Sequence, residues 1–225
     1  MMTLLIGLPG LGQDLVKVAP AAAKVEYEDA RIRVVRLRLA PHESLAMHDR
    51  PARVVIPLTS NNVRTTRPDG TTSTVQSAAG KAVWSEPGKR SVTNLDTPLE
   101  NIVVELKTAT APAKALAHPP SPRPKEYLEE RFHHWFIENQ YVRVYDVRIP
   151  PGETTGFHLH ALDTVFVMVS DGVTTAQVQG QPWGKPEKDE PGAIEYSADL
   201  KKPRTHRVRN EGKTEYHVIA VQLLP

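Results

Sequence analysis

Two histidines separated by one residue, His158-Leu159-His160, and a third further along, His206, are the side chains of this chain best suited to chemistry. Residues two apart on a strand point to one face, so His158 and His160 can reach a common space while Leu159 packs away from it. His206 on a neighbouring strand would complete one side of a coordination sphere. Three neutral imidazoles suit a divalent Fe, Zn, Ni, Cu or Mn ion. The positions left open could take a substrate oxygen together with water or dioxygen. The contrasting reading is three interior histidines, each hydrogen-bonded and inert. The chain has no cysteine, which removes disulfides, thiol nucleophiles and thiolate ligands and leaves histidine and carboxylate as ligand types.

The elements that must hold these residues occur twice. Ile32-Arg33-Val34-Val35-Arg36-Leu37-Arg38-Leu39-Ala40-Pro41 aligns without a gap on Val142-Arg143-Val144-Tyr145-Asp146-Val147-Arg148-Ile149-Pro150-Pro151. The same displacement carries Glu43 onto Glu153, Met47 onto Phe157, His48 onto His158 and Arg50 onto His160. After a modest insertion in the second copy, Arg90-Ser91-Val92-Thr93-Asn94 falls on His206-Arg207-Val208-Arg209-Asn210. Both copies close on an apolar strand, 101–106 and 217–224. An internal duplication outranks local propensity in deciding the fold. Within each copy β-branched and polar residues alternate, as in strands. Val54-Val55-Ile56 and Val165-Phe166-Val167-Met168-Val169 are apolar on both faces, as strands inside a two-sheet sandwich would be. Asp69-Gly70, Asp171-Gly172 and Glu211-Gly212 read as turns.

With 225 residues the chain has room for two domains of about 100 residues each. Twenty prolines and thirteen glycines spread along it favour short strands joined by turns over a helical bundle. The 28 basic and 26 acidic residues nearly balance, and no basic stripe is interleaved with aromatics, so nucleic acid is not an expected partner. Thr108 to Lys125 carries Pro112, Pro119, Pro120, Pro122 and Pro124 and reads as a semi-rigid linker. Glu126 to Glu130 is expected to add one helical turn. The apolar segment Met1 to Leu11 is shorter than the roughly 20 residues that span a bilayer. It reads as the remnant of a signal peptide or as a packed or disordered arm, which leaves a soluble protein of either the cytoplasm or the periplasm. The expected organisation is an arm over 1–24, a first domain over 25–108, a linker over 109–126 and a second domain over 127–225.

A Gly-x5-His-x-His element (Gly152, His158, His160, with Gly172 at its end) and a later Pro…His-x-x-x-Asn element (Pro203, His206, Asn210), set in a duplicated strand pattern, resemble the cupin superfamily in its two-domain, bicupin form. The resemblance covers nearly all of both copies. It implies an all-β fold of two tandem double-stranded β-helix, or jelly-roll, barrels. It also implies one divalent metal in the second barrel, held by His158, His160 and His206, and a small-molecule ligand. Cupins usually place a glutamate a few residues after His-x-His; here that stretch is Ala161-Leu162-Asp163-Thr164-Val165-Phe166, with Val165 or Thr164 in the slot and Asp163 out of register. The glycine usual before the second-motif histidine is replaced by Pro203-Arg204-Thr205. Some cupin dioxygenases use three histidines and no carboxylate, so dioxygenase-like oxidoreductase chemistry is the reaction type the resemblance favours. Isomerase, lyase and hydrolase chemistry remain open on the same scaffold. Thr164 or a water is the expected fourth contact, and His217 is a candidate to orient a ligand from behind.

In the first copy His48 survives while its partners become Arg50 and Arg90, and a guanidinium is not a metal ligand because it stays protonated. This barrel is read as a degenerate, metal-free one. Its two arginines either clamp a carboxylate or other anion, or are neutralised by Glu43, Glu86 or Glu105, or lie on the surface. Phe132-His133-His134-Trp135-Phe136 is read as packing between barrels or subunits, which leaves a homodimer open, because adjacent histidines on a strand face opposite ways. Trp84, Trp183 and Phe157 are expected in the core or lining a pocket. Against the metalloenzyme stand a non-catalytic small-molecule or anion sensor and a storage or structural protein stabilised by metal.

Overall fold

Each copy of the repeat folds into nine strands, in a computed structural model that describes residues 13–117 and 123–225. Met1 to Leu11 and linker prolines 119, 120 and 122 lie outside the described residues. A short helix, α1 (Leu15–Val18), precedes the first copy. The first copy then runs through β1 (Ala23–Glu28), β2 (Ile32–Leu39), β3 (Ser44–Arg50), β4 (Arg53–Pro57), β5 (Asn61–Thr66), β6 (Thr72–Ser77), β7 (Val83–Ser85), β8 (Gly88–Asn94) and β9 (Leu99–Leu106). The second runs through β10 (His133–Glu138), β11 (Val142–Ile149), β12 (His158–His160), β13 (Thr164–Met168), β14 (Gly172–Val178), β15 (Glu187–Asp189), β16 (Ile194–Ser197), β17 (Arg204–Asn210) and β18 (Tyr216–Leu223). No helix among the described residues is long and apolar enough to cross a membrane.

The duplication is carried into the topology. Strands β1-β2-β9-β4-β7 form a five-stranded antiparallel sheet that faces a four-stranded one, β3-β8-β5-β6. The second copy repeats both, as β10-β11-β18-β13-β16 and β12-β17-β14-β15. Even an irregularity recurs. The register of β1 on β2 slips between Val25 and Tyr27, and that of β10 on β11 slips between Trp135 and Ile137, the aligned positions. The result is two jelly-roll barrels in tandem.

Strands that are apolar on both faces have two surfaces to cover. From β4 and β9, Val54, Ile56, Ile102 and Val104 meet Val165, Val167, Ile219 and Val221 of β13 and β18 in one core shared by the two barrels. The opposite faces of the same strands look into the barrels: Val55 and Val103 into the first, Phe166, Met168 and Val218 into the second. Full burial of such a side chain contributes about 1.5–3 kcal/mol, so the shared layer holds the five-stranded sheets together. Polar contacts edge it. Tyr27 stacks on Tyr196 with ring centres 4.5 Å apart, and Arg36 Nη2 donates to Gly192 O at 2.6 Å. Arg31 donates to Leu224 O and pairs with Asp163 at 3.2 Å, which commits Asp163 to the barrel contact.

The asparagine of the His-x-x-x-Asn element is structural in both copies. Asn94 Nδ2 donates to the carbonyls of Leu39, Ala40 and Thr97, and Asn210 Nδ2 donates to those of Ile149 and Thr214; both residues are fully buried. Each ties the end of the eighth strand to the second, satisfying carbonyls that would otherwise be buried without a donor.

Two local expectations are corrected. Residues 126–130 form no helical turn: the chain only turns at 125–126, because Leu128 is buried with its N–H donated to the Tyr145 hydroxyl. Gly172 opens strand β14, and a Cβ there would collide with the Tyr216 ring, so close packing rather than a tight turn requires the glycine.

Candidate metal centre

Strand β12 is only three residues long, and its pairing with β17 assembles the site. His158 lies directly opposite His206, and Leu159 opposite Thr205, so alternation returns His160 to the face of His158. All three histidines are buried. Their ligand nitrogens lie within 4.8 Å of one another, and the Nε2 atoms of His160 and His206 are 2.9 Å apart. His158 Nδ1 donates to Gly156 O at 2.9 Å, which leaves Nε2 with its lone pair. Burial, with repulsion between the neighbouring rings, pushes His158 down to about 4 and His206 down to about 3, and lowers His160 further. At neutral pH all three are therefore uncharged, the form in which imidazole binds a cation. Convergent neutral nitrogens, two of them close enough to compete for one proton, fit a divalent metal well.

A carboxylate that sequence reading passed over stands behind this set. Asp199 Oδ2 faces His160 Nδ1 at 3.7 Å, just beyond hydrogen-bond distance, and neither atom has a hydrogen-bond partner. Its other oxygen accepts from Arg204 Nε at 3.0 Å. Such a carboxylate beyond the imidazole fixes which ring nitrogen carries the proton. Asp199 sits between β16 and β17, in a stretch with no pattern to single it out.

His133, read from the sequence as part of a packing cluster, instead lines the site. Alternation along β10 turns His133 inward and His134 outward, and His133 lines the cavity with its ring 4.5 Å from that of His158. Its Nδ1 lies 3.2 Å from Glu130 Oε2. Glu130 also accepts from the N–H groups of Phe132 and Gly156, at 2.8 and 2.9 Å. Burial alone would raise its carboxyl, but these bonds hold it down to about 2. Because Gly156 supplies the carbonyl that orients His158, Glu130 controls that ring at one remove. Glu130→Ala is expected to cost roughly 1–3 kcal/mol of stability and to weaken metal binding about tenfold, read from urea unfolding and from metal titration of the variant.

The other expected contacts lie elsewhere. Thr164 is buried, but its hydroxyl donates to Leu162 O and it does not line the cavity. The cavity-facing side chain of β13 nearest His160 is Phe166, with ring centres 5.6 Å apart, so that strand offers no carboxylate. His217 points away from the centre. Tyr216 and Val218 face the cavity, which turns His217 to the opposite face of β18, where it meets Asp146 at 2.8 Å and abuts Gly80 of the first barrel. Of the aromatic cluster, Trp135 packs edge-on to Tyr127 and Tyr145 of its own barrel, and Phe136 is exposed. Phe157 is exposed too, with Arg207 over its ring, and Arg207 and Arg209 cover Trp183. Trp84 lines the cavity of the first barrel.

The cavity over the three histidines is about 330 Å³, the lower end of the range for small-molecule sites. Its walls are apolar (Val147, Ile149, Phe166, Met168), and Glu187, Asp189 and Glu195 set a largely acidic rim. In the first barrel, strand pairing sets His48 opposite Arg90, and His48 Nδ1 meets Ala46 O at 2.8 Å, repeating the bond of His158.

No family model matches the chain, and no curated protein matches it. Solved structures do. AerE from Microcystis aeruginosa superposes with a TM-score of 0.61 at 13% identity, over 91% of this chain and 98% of that one. Oxalate decarboxylase of Lactobacillus farciminis, in a formate complex, gives 0.59 at 15% identity over 97% and 88%. Salicylate 1,2-dioxygenase of Pseudoaminobacter salicylatoxidans, with gentisate, gives 0.54 at 13% over 85% and 68%. Identities this low speak for the fold, and with the repeated topology they establish that this chain has the two-barrel fold of the cupins.

Proposed function

We propose that the second barrel is a small-molecule metalloenzyme centre of dioxygenase-like type, holding one divalent ion through His158, His160 and His206. The observation that carries this reading is the convergence of three buried, uncharged imidazoles at the floor of a ligand-sized cavity. A bound divalent metal would supply Lewis acidity toward a substrate oxygen and, if redox-active, the means to engage dioxygen. The chain's own residues do the rest. Val147, Ile149, Phe166 and Met168 exclude water from the reacting groups, and the acidic rim favours neutral or cationic molecules over dianions. His133, braced by Glu130, holds a ring nitrogen at the cavity wall where a substrate hydroxyl could exchange a proton. That pair favours turnover over a purely sensory role.

Oxygen uptake by the metal-loaded protein against a panel of neutral diketones, thiols and phenols tests the proposal. Uptake with at least one class, lost in His158→Ala while far-UV circular dichroism is unchanged, is the expected result. Saturable binding of those compounds without consumption of either oxygen or ligand would favour the sensor instead.

A further inference from the structure

Four arginines, Arg50, Arg53, Arg90 and the exposed Arg67, line one cavity of about 420 Å³ in the first barrel, and no carboxylate lines it among the described residues. Arg53 is 2% exposed; its Nε donates to Pro51 O, its Nη1 lies 3.3 Å from Glu105 Oε1, and its Nη2 has no partner. Neither the Arg50 nor the Arg90 guanidinium makes a hydrogen bond or ion pair among the described residues. The carboxylates that could have neutralised them are used elsewhere. Glu43 accepts from the N–H of Ala40, Glu86 from Trp84 Nε1 and the N–H of Ala113, and Glu105 gives its second oxygen to Arg33 Nε at 2.8 Å. A buried guanidinium with an unanswered N–H group is costly, and buried charges in folded proteins are ordinarily paired.

We propose that this cavity binds a small carboxylate with an apolar body, its carboxylate received by Arg50, Arg53 and Arg90. The planar donor forks of arginine match a carboxylate and hold it in two parallel hydrogen bonds. The rest of the lining bears on the body of the ligand: Leu37, Val55, Val63, Val92, Leu99 and Val103 offer an aliphatic wall, while small polar side chains such as Asn61, Thr65, Ser73 and Asn101 also line the space and carry no charge. Burial and mutual repulsion lower Arg50 to about 10 and Arg53 to about 9, which leaves both cationic at neutral pH. The arginines at positions 50 and 90 take the places that His160 and His206 occupy in the second copy, so one fold presents a cation-binding floor in one barrel and an anion-binding floor in the other. The site is independent of the metal centre, and removing metal leaves it intact.

The test is calorimetric titration of the full chain, stripped of metal with chelator so that the second barrel cannot take the anion, with sodium benzoate, benzamide and inorganic phosphate in turn. Benzoate is expected to bind saturably at one site per chain, and uncharged benzamide about tenfold more weakly or not at all. Arg50→Gln and Arg53→Gln are each expected to weaken benzoate about tenfold or more, with His158→Ala unchanged. Should Arg53→Gln fail to fold, Arg50→Gln, at a half-buried position, decides alone. Equal binding of benzamide, phosphate binding tighter than benzoate, unchanged affinity in Arg50→Gln, loss of binding in His158→Ala, or no saturable heat with benzoate would each overturn the proposal.

Discussion

Protein prepared without chelator is expected to carry about one equivalent of a divalent first-row metal per chain. His158→Ala, His160→Ala and His206→Ala should each weaken binding by roughly two orders of magnitude or more, since each removes one of three donors. Elemental analysis after dialysis reads the result, and full retention by all three variants would put the ion elsewhere. Asp199→Asn should weaken binding about 10–100-fold while leaving every donor atom in place. It removes the charge facing His160 Nδ1, which selects the tautomer with Nε2 free. Acid adds a signature. A histidine of ordinary pKa near 6.5 surrenders metal to protons below that pH. Here His158 stays neutral to about 4 and His206 to about 3, so metal should be retained at pH 5. The metal-free fold behaves differently. His158, His160 and His206 titrate below their unfolded values, so the unfolded chain binds protons first. Stability that is complete above about 6.5 is then lost as pH falls toward 4.

Glu105→Ala is expected to destabilise the protein by about 3–5 kcal/mol, measured as a lowered urea midpoint. Glu105 is 1% exposed and stands between Arg33, which bonds one of its oxygens, and Arg53, which faces the other. Its removal leaves Arg53 buried beside Arg50 and Arg90, with only the weaker pull of Asp14 as counter-charge. Glu100→Ala is the control. Glu100 is partly exposed and pairs with the exposed Arg38 and with Arg36, which keeps two other partners, Glu26 and Gly192 O, so its loss should cost within about 1 kcal/mol. Equal losses in the two variants would show that the buried charges are already satisfied by something other than Glu105.

Periodicity made the tandem fold legible. Two strands with matching patterns, 32–39 and 142–149, and two copies of one asparagine, Asn94 and Asn210, require a repeated barrel because each has the same backbone groups to satisfy. Spacing likewise singled out His158, His160 and His206, since residues two apart on a strand share a face and the second motif supplies the strand beside them. The same rule placed His133 and His134 on opposite faces yet could not say which one turned inward, and it left open that His217 turns toward the other barrel.

What sequence alone determined is the repeat, its all-β character and the three histidines, because these are local patterns written into consecutive residues. Tertiary structure alone decided that Asp199 backs His160, that Glu130 braces His133, and that Arg53 joins Arg50 and Arg90 over one cavity. Those juxtapositions come from sheet register and from loops that cross between strands. Nothing in the spacing of one segment encodes how a distant one packs against it.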